Sequence, residues 1–443
     1  MKKTALFENF AQFAMRVGSQ IHLMALRDTF ATISPLFILA GVAILMNNVV
    51  FPFVAKGAQL VTLQSWGNLI TNGTLNIAAL LVAAVLGFTL AKYRSFHNLI
   101  AAVCLSVAAF VIVMPQTILM PVAEDVAPIT GVLSYQLLGT KDIFAAVLVT
   151  IISVELFIKL KQVSFLQIHL GEGIPPQVAN SFNVMLSSIL VLTLFGFLSV
   201  LLHEVAKTDL VTLISQVLQE PLRKVSTGPI GYIFLTTIGN LFFSFGIHQS
   251  AITGALVDPL LISNMNDNMI AFVAHSEIPH IINSSFGTVF GMIGGSGSTI
   301  SLILAILIFS RLKVYRDIAK ISLPPGIFTI NEPIIFGIPI VFNLPMIIPF
   351  ILMPALGIGI GYLATLAEFV EKCVVMIPWT TPPILNAYLA TAGDIKAVIL
   401  QLLIIVLGVF VYLPFMKISE RVPRTQAQQK ESAESLIVQD VLE

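Results

Sequence analysis

Ile33-Ser-Pro-Leu-Phe-Ile-Leu-Ala-Gly-Val-Ala-Ile-Leu-Met-Asn-Asn-Val-Val-Phe-Pro-Phe-Val54 is apolar along most of its length and carries no charged side chain. A bilayer core takes about 20 such residues as a helix, because only intrahelical pairing satisfies backbone amides where there is no water. The stretch therefore reads as a membrane span. Working outward, four more apolar runs follow at residues 75–90, 99–120, 143–160 and 184–202. The whole chain agrees: 57% of its residues are hydrophobic and 10% are Asp, Glu, Lys or Arg, against roughly 25% charged residues in soluble domains. The expected fold class is all-α: a polytopic membrane protein of about ten transmembrane helices, with re-entrant hairpins and amphipathic helices.

Beyond the first five spans the pattern changes. Residues 209–225 place Leu210, Leu213, Ile214, Val217 and Leu218 at helical spacing among polar residues, which suits an interfacial connector between two halves. Residues 230–245 and 300–309 are apolar again, but Gly246, Gly254, Pro259, Pro279, Gly287, Gly291 and Gly294 break the sequence between them. Irregular backbone survives at membrane depth only where protein or a water-filled cavity satisfies it. This region, and residues 327–345, are therefore expected to be re-entrant segments lining a site. Regular spans return at 346–366 and 397–413. The expected organisation is an N-terminal cytoplasmic amphipathic helix (1–28), a five-span half (29–206), a connector (207–227), a second half with re-entrant hairpins (228–416) and a polar tail (417–443).

Charge matters here by position. The chain carries 23 basic and 23 acidic residues, so no net charge favours nucleic acid as partner. Of the 23 Lys and Arg, 16 fall on one side when the spans are threaded alternately, among them Lys92, Arg94, Lys159, Lys161, Arg311, Lys313, Arg316, Lys320 and Lys417. That bias puts both termini in the cytoplasm and makes the number of crossings even. The N-terminal residues lack a compact apolar core with a cleavage site, so no signal peptide is expected. Cys104 and Cys373 are the only cysteines and form no metal-ligand or redox pattern. Neither a metal nor a cofactor is expected.

Ionisable groups in membrane-depth sequence are functional candidates by default. Glu332 is the sharpest, in Phe328-Thr-Ile-Asn-Glu-Pro-Ile-Ile-Phe-Gly337. It can accept hydrogen bonds from hydroxyls or take a proton from one; the alternative is a structural carboxylate satisfied by freed amides. His248, in Asn240-Leu-Phe-Phe-Ser-Phe-Gly-Ile-His-Gln-Ser250, lies in a polar cluster and is a second candidate base, against the alternative of a satisfied buried histidine. His22, His97, His169 and His203 fit interfacial positions, while the sequence does not decide for His275 and His280. Gly294-Gly-Ser-Gly-Ser-Thr299 lacks the spacing of a nucleotide P-loop but opens an apolar helix, so Ser296, Ser298 and Thr299 can either meet ligand hydroxyls or form a packing turn. Trp379, with Thr380 and Thr381 in Pro378-Trp-Thr-Thr-Pro-Pro383, can stack on a sugar face or anchor at a membrane interface.

These motifs together resemble the lactose/cellobiose (diacetylchitobiose) family of phosphotransferase-system IIC permeases. Asn331-Glu-Pro-Ile-Ile-Phe-Gly-Ile-Pro339 with Asn343, the Gly294 to Thr299 turn and the Pro378 to Pro383 segment carry the likeness most specifically. It implies a five-span dimerisation half, hence a homodimer in the bacterial cytoplasmic membrane, and a transport half that holds one β-linked disaccharide. Cellobiose or diacetylchitobiose is favoured, with lactose as a further possibility. By the same resemblance Glu332 and His248 stand near the hydroxyl to be phosphorylated. Asn240, Asn331 and the 294–299 loop bind other hydroxyls, and Trp379 packs on a ring. The phosphoryl donor is a phosphocysteine on a IIB protein, supplied upstream by IIA, HPr and enzyme I. The tail has no room for such a domain, so IIB is expected to be separate. The competing class is an ion-coupled secondary sugar transporter, which also uses broken helices and a buried carboxylate. A membrane-embedded hydrolase is disfavoured, since neither His-Glu-x-x-His nor Gly-x-Ser-x-Gly occurs.

Overall fold

The computed structural model describes residues 16, 19–115, 117–122, 125–168, 176–246, 249, 253–338, 340–341 and 343–420. Most of the expected amphipathic helix at 1–28 and the tail beyond 420 lie outside the described residues. Along the chain the main elements are α1 (Ile21–Leu45), α2 (Gly57–Asn72), α3 (Ala78–Tyr93), α4 (Leu99–Ile112), β1 (Thr117–Val122), β2 (Asp125–Thr130), α5 (Ile143–Lys161) and α6 (Pro176–Ala206). There follow α7 (Pro229–Phe243), α8 (Asp258–Val273), α9 (Thr299–Phe309), α10 (Lys313–Ile327), α11 (Glu332–Gly337), α12 (Leu344–Leu366), α13 (Leu385–Ala390) and α14 (Ile395–Ser419).

Among the described residues, 7 helical stretches are long and apolar enough to cross a membrane: Ile21–Val54, Gly57–Tyr93, Thr140–Lys161, Asn180–Ala206, Ser284–Phe309, Pro345–Leu366 and Ile395–Ser419. Two shorter apolar helices are α4 and α7. The sequence reading differs at three places. Nothing between Ile21 and Thr32 breaks a helix, and the Gln20 side chain accepts the Leu23 N–H at 2.8 Å, so α1 starts there and not at 33. The span expected over 99–120 stops at Ile112, ahead of Pro115. A proline has no amide donor and pushes the residue before it out of helical geometry, and the chain re-forms as the antiparallel hairpin β1–β2. Helix α2 was not foreseen, because its apolar residues are too dispersed to read as a span.

The connector is helical as expected, through Leu210–Ile214, Ser215–Gln219 and Glu220–Ser226, and Asp209 caps it by accepting the Thr212 N–H at 2.8 Å. Its middle section is a π turn, as is Met46–Val50 at the end of α1. Both π turns precede a proline by the same offset, Pro52 and Pro221. A proline ring inside a helix collides with the carbonyl four residues back, here Asn48 and Val217, and the wider π turn makes room for it.

By packing, the chain divides into two units: Met1–Gly228 with Ser250–Asn283, and Pro229–Gln249 with Ser284–Glu443. In the first, α3 packs on α1, α4 and α5. Its buried Ala78, Ala79, Ala83 and Ala91 let backbones approach closely, and the Ser106 hydroxyl donates to the Ala83 carbonyl at 2.9 Å. The boundary differs from the sequence reading, which gave 250–283 to the second half. One ion pair ties this segment to the connector, and further polar bonds hold the segment to itself. Asp267 of α8 pairs with Arg223 at 3.2 Å and with His280 at 3.0 Å. Asn268 accepts the His280 N–H at 3.0 Å and donates to its carbonyl at 2.7 Å. Asn264 donates to the Ile282 carbonyl at 2.9 Å. His280 thus belongs to an ion-pair network, and His275, at φ 52°, ends α8. In the second unit α12 packs on α7 and α14, and α9 packs on α10 and α14.

Candidate functional site

The site candidates of the second unit fall on two segments. The first is the loop at Gly294 to Thr299. Its path needs left-handed backbone at Gly294, Gly295, Gly297 and Ser298. A Cβ at Gly297 would stand 2.2 Å from the Phe350 ring, and one at Gly295 would stand 2.5 Å from the Asn331 side chain, so only glycine lets those groups close on the loop.

The loop is held by three side chains from elsewhere in the unit and by two of its own. Asn240 of α7 accepts the Gly297 N–H at 3.0 Å through Oδ1 and donates to the Thr236 carbonyl at 2.9 Å. Tyr412 of α14 donates its hydroxyl to the Gly297 carbonyl at 2.6 Å. Asn331, just before α11, donates from Nδ2 to the Ser296 carbonyl at 2.8 Å and to Thr299 Oγ1 at 2.9 Å. Thr299 in turn donates to the Gly294 carbonyl at 2.8 Å, and Ser298 to the Gly291 carbonyl at 2.9 Å. All of these side chains are buried, as is Ser296. The sequence reading gave Asn240, Ser296, Ser298, Thr299 and Asn331 to sugar hydroxyls. In this structure Asn240, Ser298, Thr299 and Asn331 turn their polar atoms onto the loop and its neighbours, because a strained turn inside an apolar unit leaves backbone groups that protein must satisfy.

The second segment pairs residues 329–332 with 378–381. Helix α10 ends with Thr329 in the left-handed region, φ 61°, and the Ile330 N–H folds back to the Pro325 carbonyl at 3.0 Å. That reversal points the Thr329 hydroxyl at the Trp379 carbonyl, to which it donates at 2.7 Å. Three residues on, Glu332 opens α11 beside Pro333, exposed and, among the described residues, without a hydrogen bond or ion pair. Trp379 is 54% exposed, Thr380 is partly exposed and Thr381 is buried. The structure therefore brings an unengaged carboxylate and a half-exposed indole onto neighbouring segments, with hydroxyls beside them.

Behind this edge stand residues that the sequence reading missed. Gln401 of α14 accepts the Ile384 N–H at 2.5 Å and donates to the Val289 carbonyl and to Asn386 Oδ1, both at 2.7 Å. Ile384 needs such an anchor, since a β-branched residue at φ 77° is strained. Ser285 donates to the Val375 carbonyl at 2.9 Å. A lone glutamine in an apolar span was the available signal for Gln401; Tyr412 and Thr329 gave none.

His248 lies outside the described residues. Cys373 is buried, and burial pushes its thiol up to about 12, so it is not a thiolate at neutral pH. Among the described residues no group of His, Cys, Asp and Glu is arranged to hold a metal ion.

Comparison with known proteins bears on this arrangement. The family model described as "Phosphotransferase system, EIIC" matches residues 27–354. The oligo-beta-mannoside-specific EIIC component of Bacillus subtilis (strain 168) is 30% identical over 437 residues, covering 97% of each chain. The cellobiose-specific EIIC component of Geobacillus stearothermophilus is 30% identical over 94% of this chain and 93% of its own. Among solved structures, the crystal structure of the transporter ChbC, the IIC component from the N,N'-diacetylchitobiose-specific phosphotransferase system, superposes with a TM-score of 0.87 at 28% identity, covering 94% of this chain and 98% of that one.

Proposed function

The chain belongs to the EIIC family of the phosphotransferase system, and from that premise we propose that it binds a β-linked disaccharide at the Glu332 and Trp379 edge of its second unit, carries it through the bacterial cytoplasmic membrane and presents it to phosphorylated IIB. The observation that carries this reading is the Thr329 to Trp379 hydrogen bond of 2.7 Å, which ties the Glu332 segment to the Trp379 segment. An indole stacks on the apolar face of a pyranose, and the hydroxyls around the ring's rim take polar partners. Glu332 accepts a hydroxyl hydrogen bond and takes that proton as the oxygen attacks phosphorus; the O–P bond forms, the S–P bond of the IIB phosphocysteine breaks and thiolate leaves. His248 is the second candidate for that proton. Phosphoryl transfer depends mainly on positioning and charge stabilisation, so the permease needs no nucleotide of its own.

In this reading Asn240, Ser296, Ser298, Thr299 and Asn331 shape the site's wall, while Trp379, Thr380 and Thr381 meet the sugar. The first unit serves as the dimerisation half, both termini face the cytoplasm, and cellobiose and diacetylchitobiose rank ahead of lactose. The experiment is binding of radiolabelled cellobiose, diacetylchitobiose and lactose to purified protein, then addition of phosphorylated IIB. Sugar phosphate formed only with IIB supports group translocation and names the sugar. Tight binding without phosphorylation by a cognate IIB supports an ion-coupled transporter instead.

A further inference from the structure

A pocket in the first unit plays no part in the sugar reading. It lies where α3 turns into α4, against the end of α5 and the start of α6, and its polar lining includes Arg94, His97, Lys161, Gln162, Asn180 and Asn183. Among the described residues no carboxylate lines it.

The turn beneath it is built to be rigid. The Phe96 N–H reaches back to the Ala91 carbonyl and the Ser95 N–H to the Lys92 carbonyl, both at 2.9 Å, with Ser95 in the left-handed region at φ 53°. This closes α3 in the manner of a Schellman cap. Phe96 packs edge-on against Phe157 of α5, with ring centroids 5.2 Å apart. Asn98 caps α4 by accepting the Ala101 N–H at 3.2 Å, so the positive end of a 14-residue helix starts at the pocket.

The charges are unevenly spent. Arg94 donates to Glu155 from Nε at 2.7 Å and approaches it from Nη2 at 2.6 Å, and His22 also lies 2.9 Å from that carboxylate. A guanidinium has five N–H donors, so this pairing leaves Arg94 with donors to spare. Lys161 has no ion-pair partner among the described residues, its side chain being left with the pocket. Exposed apolar side chains flank the lining residues in the chain, among them Ile100, Val163, Phe165, Val178 and Phe182.

We propose that this pocket is a binding site for a phosphate group, seated by Lys161, Arg94 and the side-chain amide of Asn180. Lysine supplies a point charge, arginine a planar fork, and amides neutral donors, which together suit a phosphate monoanion or diester. A cationic pocket between the ends of membrane helices meets two such sources, an anionic phospholipid headgroup and soluble phosphate, and the flanking exposed apolar side chains accommodate the acyl chains of the first. The site stands on the geometry of the first unit and does not depend on which sugar is carried.

The test is native mass spectrometry of the full chain equilibrated with equal amounts of dioleoyl-phosphatidylglycerol and dioleoyl-phosphatidylcholine, beside thermal shifts with sodium phosphate against sodium chloride at matched ionic strength. Preferential retention of phosphatidylglycerol, reduced roughly fivefold in Lys161→Gln and Asn180→Ala but unchanged in Lys207→Gln, identifies a lipid headgroup. A phosphate-specific rise in melting temperature lost in the same two variants, without lipid preference, identifies soluble phosphate. Equal retention of both lipids, or retention indifferent to Lys161 and Asn180, together with no phosphate-specific shift, overturns the proposal.

Discussion

The Gly294 to Thr299 loop and the Glu332 to Trp379 edge lie in the same unit and share one anchor, the run from Thr329 to Asn331, yet they use polar groups in opposite ways. In the loop, Asn240, Ser298, Thr299, Asn331 and Tyr412 all bond to protein partners. At the edge, Glu332 bonds to none among the described residues and Trp379 is half exposed. A group already satisfied inside the fold gains little by meeting a ligand, whereas an unengaged carboxylate is available to do so. In the proposed reading the loop is scaffold and the edge is where sugar is recognised.

The sharpest way to break that division is Glu332→Gln. It removes the proton acceptor and keeps the shape, so sugar-phosphate formation with phosphorylated IIB is expected to fall by about 10²- to 10³-fold with melting temperature and sugar binding little changed. A wild-type rate of phosphorylation in this variant removes Glu332 from the chemistry.

Gly297→Ala probes the other region. Its Cβ would meet the Phe350 ring at 2.2 Å on a left-handed backbone, which costs about 2–4 kcal/mol between overpacking and strain. A clear drop in melting temperature, with sugar binding lost alongside it, is the expected result. Unaltered stability would mean that the loop is loose.

Asn240→Leu leaves the Gly297 N–H without its acceptor and should cost about 1–3 kcal/mol of stability. Asn240→Asp, which keeps an acceptor at that position, should retain more. If thermal unfolding shows no loss in Asn240→Leu while cellobiose binding disappears, Asn240 reads the sugar directly and the division between the regions fails. The smallest effect is expected from Trp379→Ala: titration with sugar should show affinity weakened by about 2- to 10-fold, the worth of one ring contact, at unchanged melting temperature.

How far these roles were legible follows from the range of each interaction. Residues 143–160 read directly as a span and appear as α5, because the signal is local: enough consecutive apolar residues to pair their own amides. Pro115 was equally visible, but its effect, ending α4 at Ile112 and turning 117–130 into a hairpin, depends on one missing donor within a longer apolar run. Asn331 and Glu332 are adjacent and both stood out as candidates; the structure separates them, one turned onto the loop and the other exposed. Tyr412 gave no signal at all, since its partner is the backbone of Gly297, 115 residues away.

By itself the sequence determined a helical membrane protein, most of its spans, its likeness to the phosphotransferase-system permeases and the short segments where chemistry is to be sought. Those properties depend on composition, run length and local motifs. Only the tertiary structure decided which polar side chains are consumed in holding irregular backbone and which remain open to a ligand. It also decided that residues 250–283 pack with the first unit. The physical reason is that a buried polar group takes whatever partner the packing brings within about 3 Å, and that partner is set by how helices far apart in the chain lie against one another.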